Sequence, residues 1–381
     1  MCTFILSMRL NKILLVTHDT SLSGAPKMLL LLWEMIKRNY PFLSIDVLSM
    51  SNDGVLTERF KAISEKFYNL NTYSETPNYS IKNRIKHKLR RETILSSRSQ
   101  LITELKGNQY DVVFANTIVT LSLASQIATN NLIVNVHELD TVLEEYLPNI
   151  YDFQDLVRKF IVPSELNKKC LILKNIDPSK IEIIRDSSKL EFKNRKFEFN
   201  DGAEFRVIGC GAAYWRKGDD LFIQIASVVS KVNPKIKFYW VGPQTSEKRR
   251  VNSFDVKKLN LEKNLFFIDE VEFNDLFSSV HLFALTSRED PFPLAAVEAG
   301  LYGLPIVCFD RATGISEVIS ESMVSSYMDV QDYANIILQI LEDNERYLYE
   351  SEKNKESFKS FLPENISEQI MALIIKTIDN D

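Results

Sequence analysis

Residues 287–303 read SREDPFPLAAVEAGLYG, with HLFALTS (281–287) before them and PIVCFD (305–310) after. Both flanks are short apolar runs of the kind that form buried strands. Between them, Pro293 suits the first turn of a helix, where its missing N–H would be unpaired anyway. The helix should end near Gly303 and Pro305. With that start Ala295, Glu298, Ala299 and Tyr302 share one face. The amides of Leu294 and Ala295 then stand unpaired at a helix N-terminus, beyond the carboxyl end of a strand, which is a ready anion site. A diphosphate there, with a polyol held by carboxylates, describes a nucleotide sugar.

The strand–helix alternation extends along the whole chain. KILLVT, SIDVLS, DVVFAN, LIVNVH, KFIVPS and IEIIR are β-branched runs separated by helical stretches or longer inserts. The polar, aperiodic segment 186–205 interrupts them, and the pattern restarts with FRVIGC, IKFYWVG and NLFFID. This is parallel-sheet α/β construction in two halves. The expected domains are 1–190, 191–360 and a C-terminal helix at 361–381, whose stripe of Ile366, Ile370, Leu373, Ile374 and Ile378 suits packing back towards the first domain.

At 381 residues with 45% hydrophobic and 25% charged residues, the composition is that of a globular protein with two cores. The net charge of -5 is unevenly spread. Residues 1–190 carry 24 Lys and Arg against 20 Asp and Glu, and residues 191–381 carry 22 against 31. Cys2, Cys170, Cys210 and Cys308 form no C-x-x-C pair, which argues against a zinc site or a disulfide framework. The N-terminal stretch lacks a basic region and cleavage site, so no signal peptide is expected, and Met8 is an alternative start. A cytoplasmic protein follows from this reading. A periplasmic sugar-binding protein, which shares the two-domain plan, does not.

The segment D-P-F-P-L-A-A-V-E-A-G (290–300) resembles the signature of the retaining glycosyltransferases of family four, a group 1 glycosyltransferase family with the GT-B fold. The resemblance implies two facing Rossmann-like domains with parallel sheets and a deep interdomain cleft. It places Glu298 on the ribose hydroxyls of the donor nucleotide and Asp290 on the donor sugar, with Phe292, Pro293, Leu294 and Ala295 in the donor loop. Asp290 stands where the family has Glu, and Pro293 where it has Gly. Glu289 lies one residue too early to be the signature acid.

VIGCGAAYWRKGDDLFIQIA (207–226) is similar to the family's strand–loop–helix segment. Lys217 matches its diphosphate-binding cation, and Arg216 stands ready to replace an Arg usual at position 212, which is Ala here. Cations are needed because charge gathers on the leaving diphosphate. The helix should start near Lys217. Gly242 matches the strand end beside the donor, while Gly314 and Glu317 suit either a later family element or a cap.

In the first half, Ser23, Gly24 and Ala25 open a long helix directly after the first strand, and resemble the glycine loop that closes on the donor phosphates. His137 ends LIVNVH, matching a family His near the reacting sugar. The catalytic set implied is therefore His137, Asp290 and Lys217, with no cofactor and a UDP-sugar or GDP-sugar as donor. The acceptor would be a carbohydrate or a lipid-linked hydroxyl, in polysaccharide or glycolipid synthesis. No metal is expected, because the one D-x-D is Asp379–Asn380–Asp381 at the terminus. Seven Lys or Arg in 81–98, with Ile81, Ile85 and Leu89 four apart, suit a basic amphipathic helix on an anionic membrane surface or a solvated face. Nucleic acid is not an expected partner. A non-catalytic nucleotide-sugar sensor and a nucleotide-sugar epimerase are the alternatives.

Overall fold

A computed structural model describes residues 10–77, 95–129, 131–189, 204–269 and 279–379. The chain divides into two compact units: one of residues 1–162, 168–184 and 363–381, the other of 163–167 and 185–362.

In the first unit the described strands are β1 (Lys12–Thr17), β2 (Ser44–Ser49), β3 (Lys66–Asn69), β4 (Val112–Asn116), β5 (Leu132–Asn135), β6 (Val157–Val162) and β7 (Ile181–Ile183). They form one sheet in the order β3-β2-β1-β4-β5-β6-β7, with every pairing parallel. The central strands are buried along nearly their whole length, because helices cover both faces of a parallel sheet, and such strands read as continuous apolar runs. Helix α1 (Gly24–Asn39) buries Met28, Leu29, Leu30, Leu32, Trp33 and Ile36, and Trp33 meets Phe114 of β4 edge-on at 5.6 Å. The C-terminal helix α12 (Pro363–Asp379) lies against α1 through Ile366, Ile370, Leu373 and Ile374, four of the five positions on the stripe read from sequence. Ile378 is only half-buried.

The second unit repeats the plan. Strands β8 (Phe205–Cys210), β9 (Ile236–Val241), β10 (Leu265–Ile268), β11 (Leu282–Leu285), β12 (Ile306–Phe309) and β13 (Val324–Ser325) run in the order β10-β9-β8-β11-β12-β13, again all parallel. Helices α7 (Asp219–Val232) and α9 (Leu294–Leu301) follow β8 and β11. Phe222 of α7 meets Phe238 and Trp240 of β9 edge-on at 5.4 and 5.3 Å, which seats the helix on the sheet.

Strand order reverses between β1 and β4 in one sheet and between β8 and β11 in the other. In doubly wound sheets the loops leaving the carboxyl ends at such a reversal part to either side and leave room for a ligand. Of the residues singled out from sequence, Ser23 follows β1, Arg216 and Lys217 follow β8, and Asp290 to Pro293 follow β11, whereas His137 and Gly242 follow the neighbouring strands β5 and β9. Of the basic segment 81–98, residues 81–94 lie outside the described residues, as do 380 and 381 of the terminal D-x-D. Among the described residues no helix is long and apolar enough to cross a membrane.

Candidate active site

The loop after β11 continues the sheet. Asp290 donates its N–H to the Ala312 carbonyl at 2.8 Å and bridges Thr313 in parallel register. Its buried carboxylate accepts from Lys217 Nζ at 2.5 Å and from Ser287 Oγ at 3.2 Å. Lys217 ends a short 3-10 turn (Trp215–Lys217) on the loop after β8, so the pair joins the two loops that flank the strand-order reversal. Burial pulls the Lys217 ammonium towards deprotonation. The Asp290 charge and hydrogen bond more than offset this, and its pKa stands above the ordinary lysine value.

Two glycines make this geometry attainable. Gly218 sits at φ 69°, and a Cβ on it would lie 2.0 Å from the Thr286 carbonyl oxygen. Thr286 Oγ1 in turn donates to the Gly218 carbonyl at 3.0 Å, so the Thr286 side chain ties its loop to the backbone of the other. Gly242, after β9, sits at φ 148°, where a Cβ would come within 2.2 Å of the Gly211 carbonyl oxygen. Both φ values disfavour a side chain, and neither close approach leaves room for a Cβ. Helix α7 starts at Asp219, two residues beyond the expected Lys217, because Gly218 takes a left-handed turn first. Arg216 donates from Nε to the Glu289 carbonyl at 3.3 Å and accepts the Arg288 N–H at 2.8 Å.

Pro293 is the cap residue that precedes α9, one place before the first-turn position expected of it, and Leu294 is the first helical residue. The helix ends at Leu301, with Gly303 at φ 72° two residues beyond. Glu298 is buried one turn in, where its Oε1 accepts from Ser188 Oγ at 2.7 Å. Glu298 is thus bonded to a segment other than the one that holds Asp290. The side chain of Phe292 is 2% exposed, meets Phe361 edge-on at 5.4 Å and lies under the Arg185 guanidinium. That ring is committed to packing, so only its backbone could face a donor. Glu289 is buried as well.

In the first unit, His137 follows β5 with Nε2 at 3.2 Å from Asn116 Oδ1 at the end of β4. His18 follows β1. Burial lowers its pKa, the nearby His137 adds to this, and Asp19 opposes it. Ser23 caps α1 by position but makes no side-chain cap bond, and its N–H donates to Ser21 Oγ at 3.2 Å. Gly24 and Ala25 are the first two helical residues. The loop with Ser23, Gly24 and Ala25 and the residue His137 therefore leave the carboxyl ends of β1 and β5, on either side of β4 in the sheet.

Residues 191–357 match the family model described as glycosyl transferases group 1. The chain carries a group 1 glycosyl transferase domain. Over 169 residues it is 24% identical to an uncharacterized glycosyltransferase of Haemophilus influenzae, covering 43% of this chain and 47% of that one. Over 174 residues it is 25% identical to an amylovoran biosynthesis glycosyltransferase of Erwinia amylovora, covering 44% and 47%. The matches thus span about half the length of these two relatives. Among solved structures, Anabaena HepE in complex with UDP superposes with a TM-score of 0.76 at 18% identity, covering 96% of this chain and 100% of that one. The lipopolysaccharide outer core galactosyltransferase WaaB gives 0.75 at 12% identity, covering 96% and 99%. The fold is GT-B.

Several partners escaped the sequence reading. Arg288, inside the opening stretch, grips Asp220 with both ends of its guanidinium at 2.8 and 2.7 Å, and donates to the Trp215 carbonyl at 2.8 Å. Burial pushes the Asp220 carboxyl up, but the Arg288 bonds and charge outweigh it and hold the group below its usual range. Arg288 and Asp220 stand 68 residues apart, and no local pattern announces such a pair. Ser188 gave no signal either. Glu317, left open between two roles, accepts the N–H groups of Glu165 and Leu166 at 3.0 and 2.9 Å and so caps the helix Glu165–Leu173.

Proposed function

We propose that this protein is a retaining glycosyltransferase that moves a sugar from a nucleoside-diphosphate sugar to an acceptor hydroxyl. The observation that carries the reading is the Lys217–Asp290 pair, a cation and a carboxylate brought together where strand order reverses in a group 1 domain. Lys217 and Arg216 meet the diphosphate, assisted by the amides of Leu294 and Ala295 at the start of α9. Gly242 keeps the neighbouring loop low beside the donor. Asp290 holds the donor sugar by its hydroxyls and Glu298 the ribose. To the loop of Ser23, Gly24 and Ala25 we assign the phosphates, and to His137 the reacting sugar.

The acceptor oxygen bonds to the anomeric carbon on the face that the leaving group vacates. The bond from that carbon to the phosphate oxygen breaks, and the acceptor's proton passes to the departing phosphate. Configuration is retained and no covalent enzyme intermediate is formed. No metal enters this scheme. HepE was solved with UDP and with UDP-glucose, which favours a UDP-sugar over a GDP-sugar here. We assign the acceptor to the carbohydrate or lipid-linked class used in polysaccharide synthesis, in keeping with the amylovoran biosynthesis glycosyltransferase of Erwinia.

The test is to incubate the protein with UDP- and GDP-sugars and a panel of saccharide and polyprenyl-linked acceptors. Nucleotide release and the anomeric signals of the product are then followed by NMR. Transfer with the donor's own anomeric configuration supports the reading. An inverted product, donor binding without turnover, or epimerised donor each replaces it.

A further inference from the structure

Ser188 stands 110 positions from Glu298 in sequence, yet its hydroxyl donates to Glu298 Oε1 at 2.7 Å. Both residues are almost fully buried, at 1% and 4% exposure. An ionised carboxylate accepts and never donates, so the Ser188 proton is committed to this bond. The segment that carries Ser188 is anchored just upstream. Arg185 donates to the Pro163 carbonyl at 2.7 Å, pairs with Glu317 at 2.8 Å and lies 5.4 Å from the centre of the Phe292 ring. Residues 185–188 are thus fastened both to the loop that leads into α9 and to α9 itself. Next to it, Ser187 Oγ is equally buried and has no hydrogen-bond partner among the described residues. Of two adjacent buried hydroxyls, one is aimed at the carboxylate.

We infer that Ser188 is a positioning residue for Glu298, and through it sets how the ribose of the nucleoside diphosphate is recognised; this rests on the ribose role given to Glu298 above. A glutamate has three side-chain torsions, and a buried carboxylate with no donor is costly to keep ionised. One hydroxyl bond on Oε1 fixes the plane of the group. A carboxylate offers about four lone-pair sites, so one donor does not exhaust its capacity to accept from a ribose diol. With the plane fixed, both ribose hydroxyls can meet the carboxylate at once. With it released, the group turns and ribose no longer differs from deoxyribose.

The experiment measures affinity for UDP and 2′-deoxy-UDP, and for the GDP pair, by calorimetry; the pair of the tighter-binding base is analysed. Wild type should prefer the ribonucleotide about tenfold or more, the scale of a hydrogen bond to a charged group. Glu298→Gln should lose most of that preference. Ser188→Ala should lose it as well, Ser188→Thr should retain it, and Ser188→Ala added to Glu298→Gln should change nothing further. Ser187→Ala, the neighbouring buried hydroxyl, should behave as wild type. A Glu298→Gln variant with its preference intact overturns the ribose role itself. Loss in Glu298→Gln but not in Ser188→Ala overturns the positioning role alone, as does an equal loss in Ser187→Ala. Thermal melts without nucleotide check folding, and Ser188→Cys, a weak donor of similar size, replaces Ser188→Ala if that variant does not fold.

Discussion

Lys217 Nζ lies 2.5 Å from Asp290 Oδ2, although the residues are 73 positions apart and rise from different strands. The Lys217 side chain is 20% exposed and that of Asp290 8%, so each charge depends on the other for solvation that water supplies only in part. Under the proposed function the pair is a cation for phosphate beside a carboxylate for sugar hydroxyls. Lys217→Met and Asp290→Asn should each cut sugar transfer at least about a hundredfold, as expected when a charge that stabilises the leaving group is removed or misplaced. Circular dichroism should show both variants folded. Near-wild-type turnover in both would remove the pair from the mechanism. The Lys217 pKa is raised in the fold, so the pair's stability is complete below the ordinary lysine value of 10.5 and declines only as pH rises through the raised value.

Gly218→Ala tests whether the pair depends on the backbone beneath it. The added Cβ would fall 2.0 Å from the Thr286 carbonyl oxygen, at a φ of 69° that already disfavours a side chain. The loops after β8 and β11 must then separate, because neither contact is with a flexible side-chain end. A loss of about 2 kcal/mol or more is expected, from positive-φ strain and the steric shift together. Urea denaturation measures it. Transfer should fall more steeply than stability, because Lys217 is the residue just before Gly218 and Asp290 follows Thr286 by four.

The α/β plan was legible because parallel strands buried on both faces must be apolar runs, as KILLVT and DVVFAN are. The helix at 294–301 was legible from its proline start and glycine end. Its first residue was not, since Pro293 suits the cap and the first turn alike. Arg288 stood in plain view as the second residue of the quoted stretch, but its partner Asp220 lies on the helix after another strand, and such a pairing leaves no periodic trace. Ser188 was hidden for the same reason, in a stretch whose polar composition reads as linker. Phe292 shows that a residue within the quoted stretch also serves packing with its side chain.

His18 gives a pH dependence of opposite sign to Lys217. Its pKa is lowered in the fold, chiefly by burial, from an ordinary value of 6.5. The unfolded chain therefore takes up a proton first as pH falls, and stability declines from about pH 6.5 down to the lowered value, then levels off. Thermal melts between pH 7.5 and 5 should show a steeper acid loss in wild type than in His18→Gln. Equal slopes would mean that the buried imidazole is protonated in the fold as readily as in water.

Arg288→Lys separates a charge from a fork. Arg288 grips both Asp220 oxygens at 2.8 and 2.7 Å and also reaches the Trp215 carbonyl, contacts that a single ammonium cannot all reproduce. The Arg288 side chain is 9% exposed but that of Asp220 is 38%, so solvent screens part of the interaction. A loss of about 1 kcal/mol is expected, or roughly 2–4 °C in melting temperature for a unit of this size. The Asp220 pKa is depressed in the fold, so this stability is present above the ordinary aspartate value of 3.8 and disappears as pH falls through the depressed one. The gap between wild type and variant should accordingly be full at pH 7 and narrow below pH 3.8. A gap that persists unchanged in acid would assign the effect to the guanidinium's place over the Trp215 ring, 5.6 Å from its centre, and to its bond with the Trp215 carbonyl.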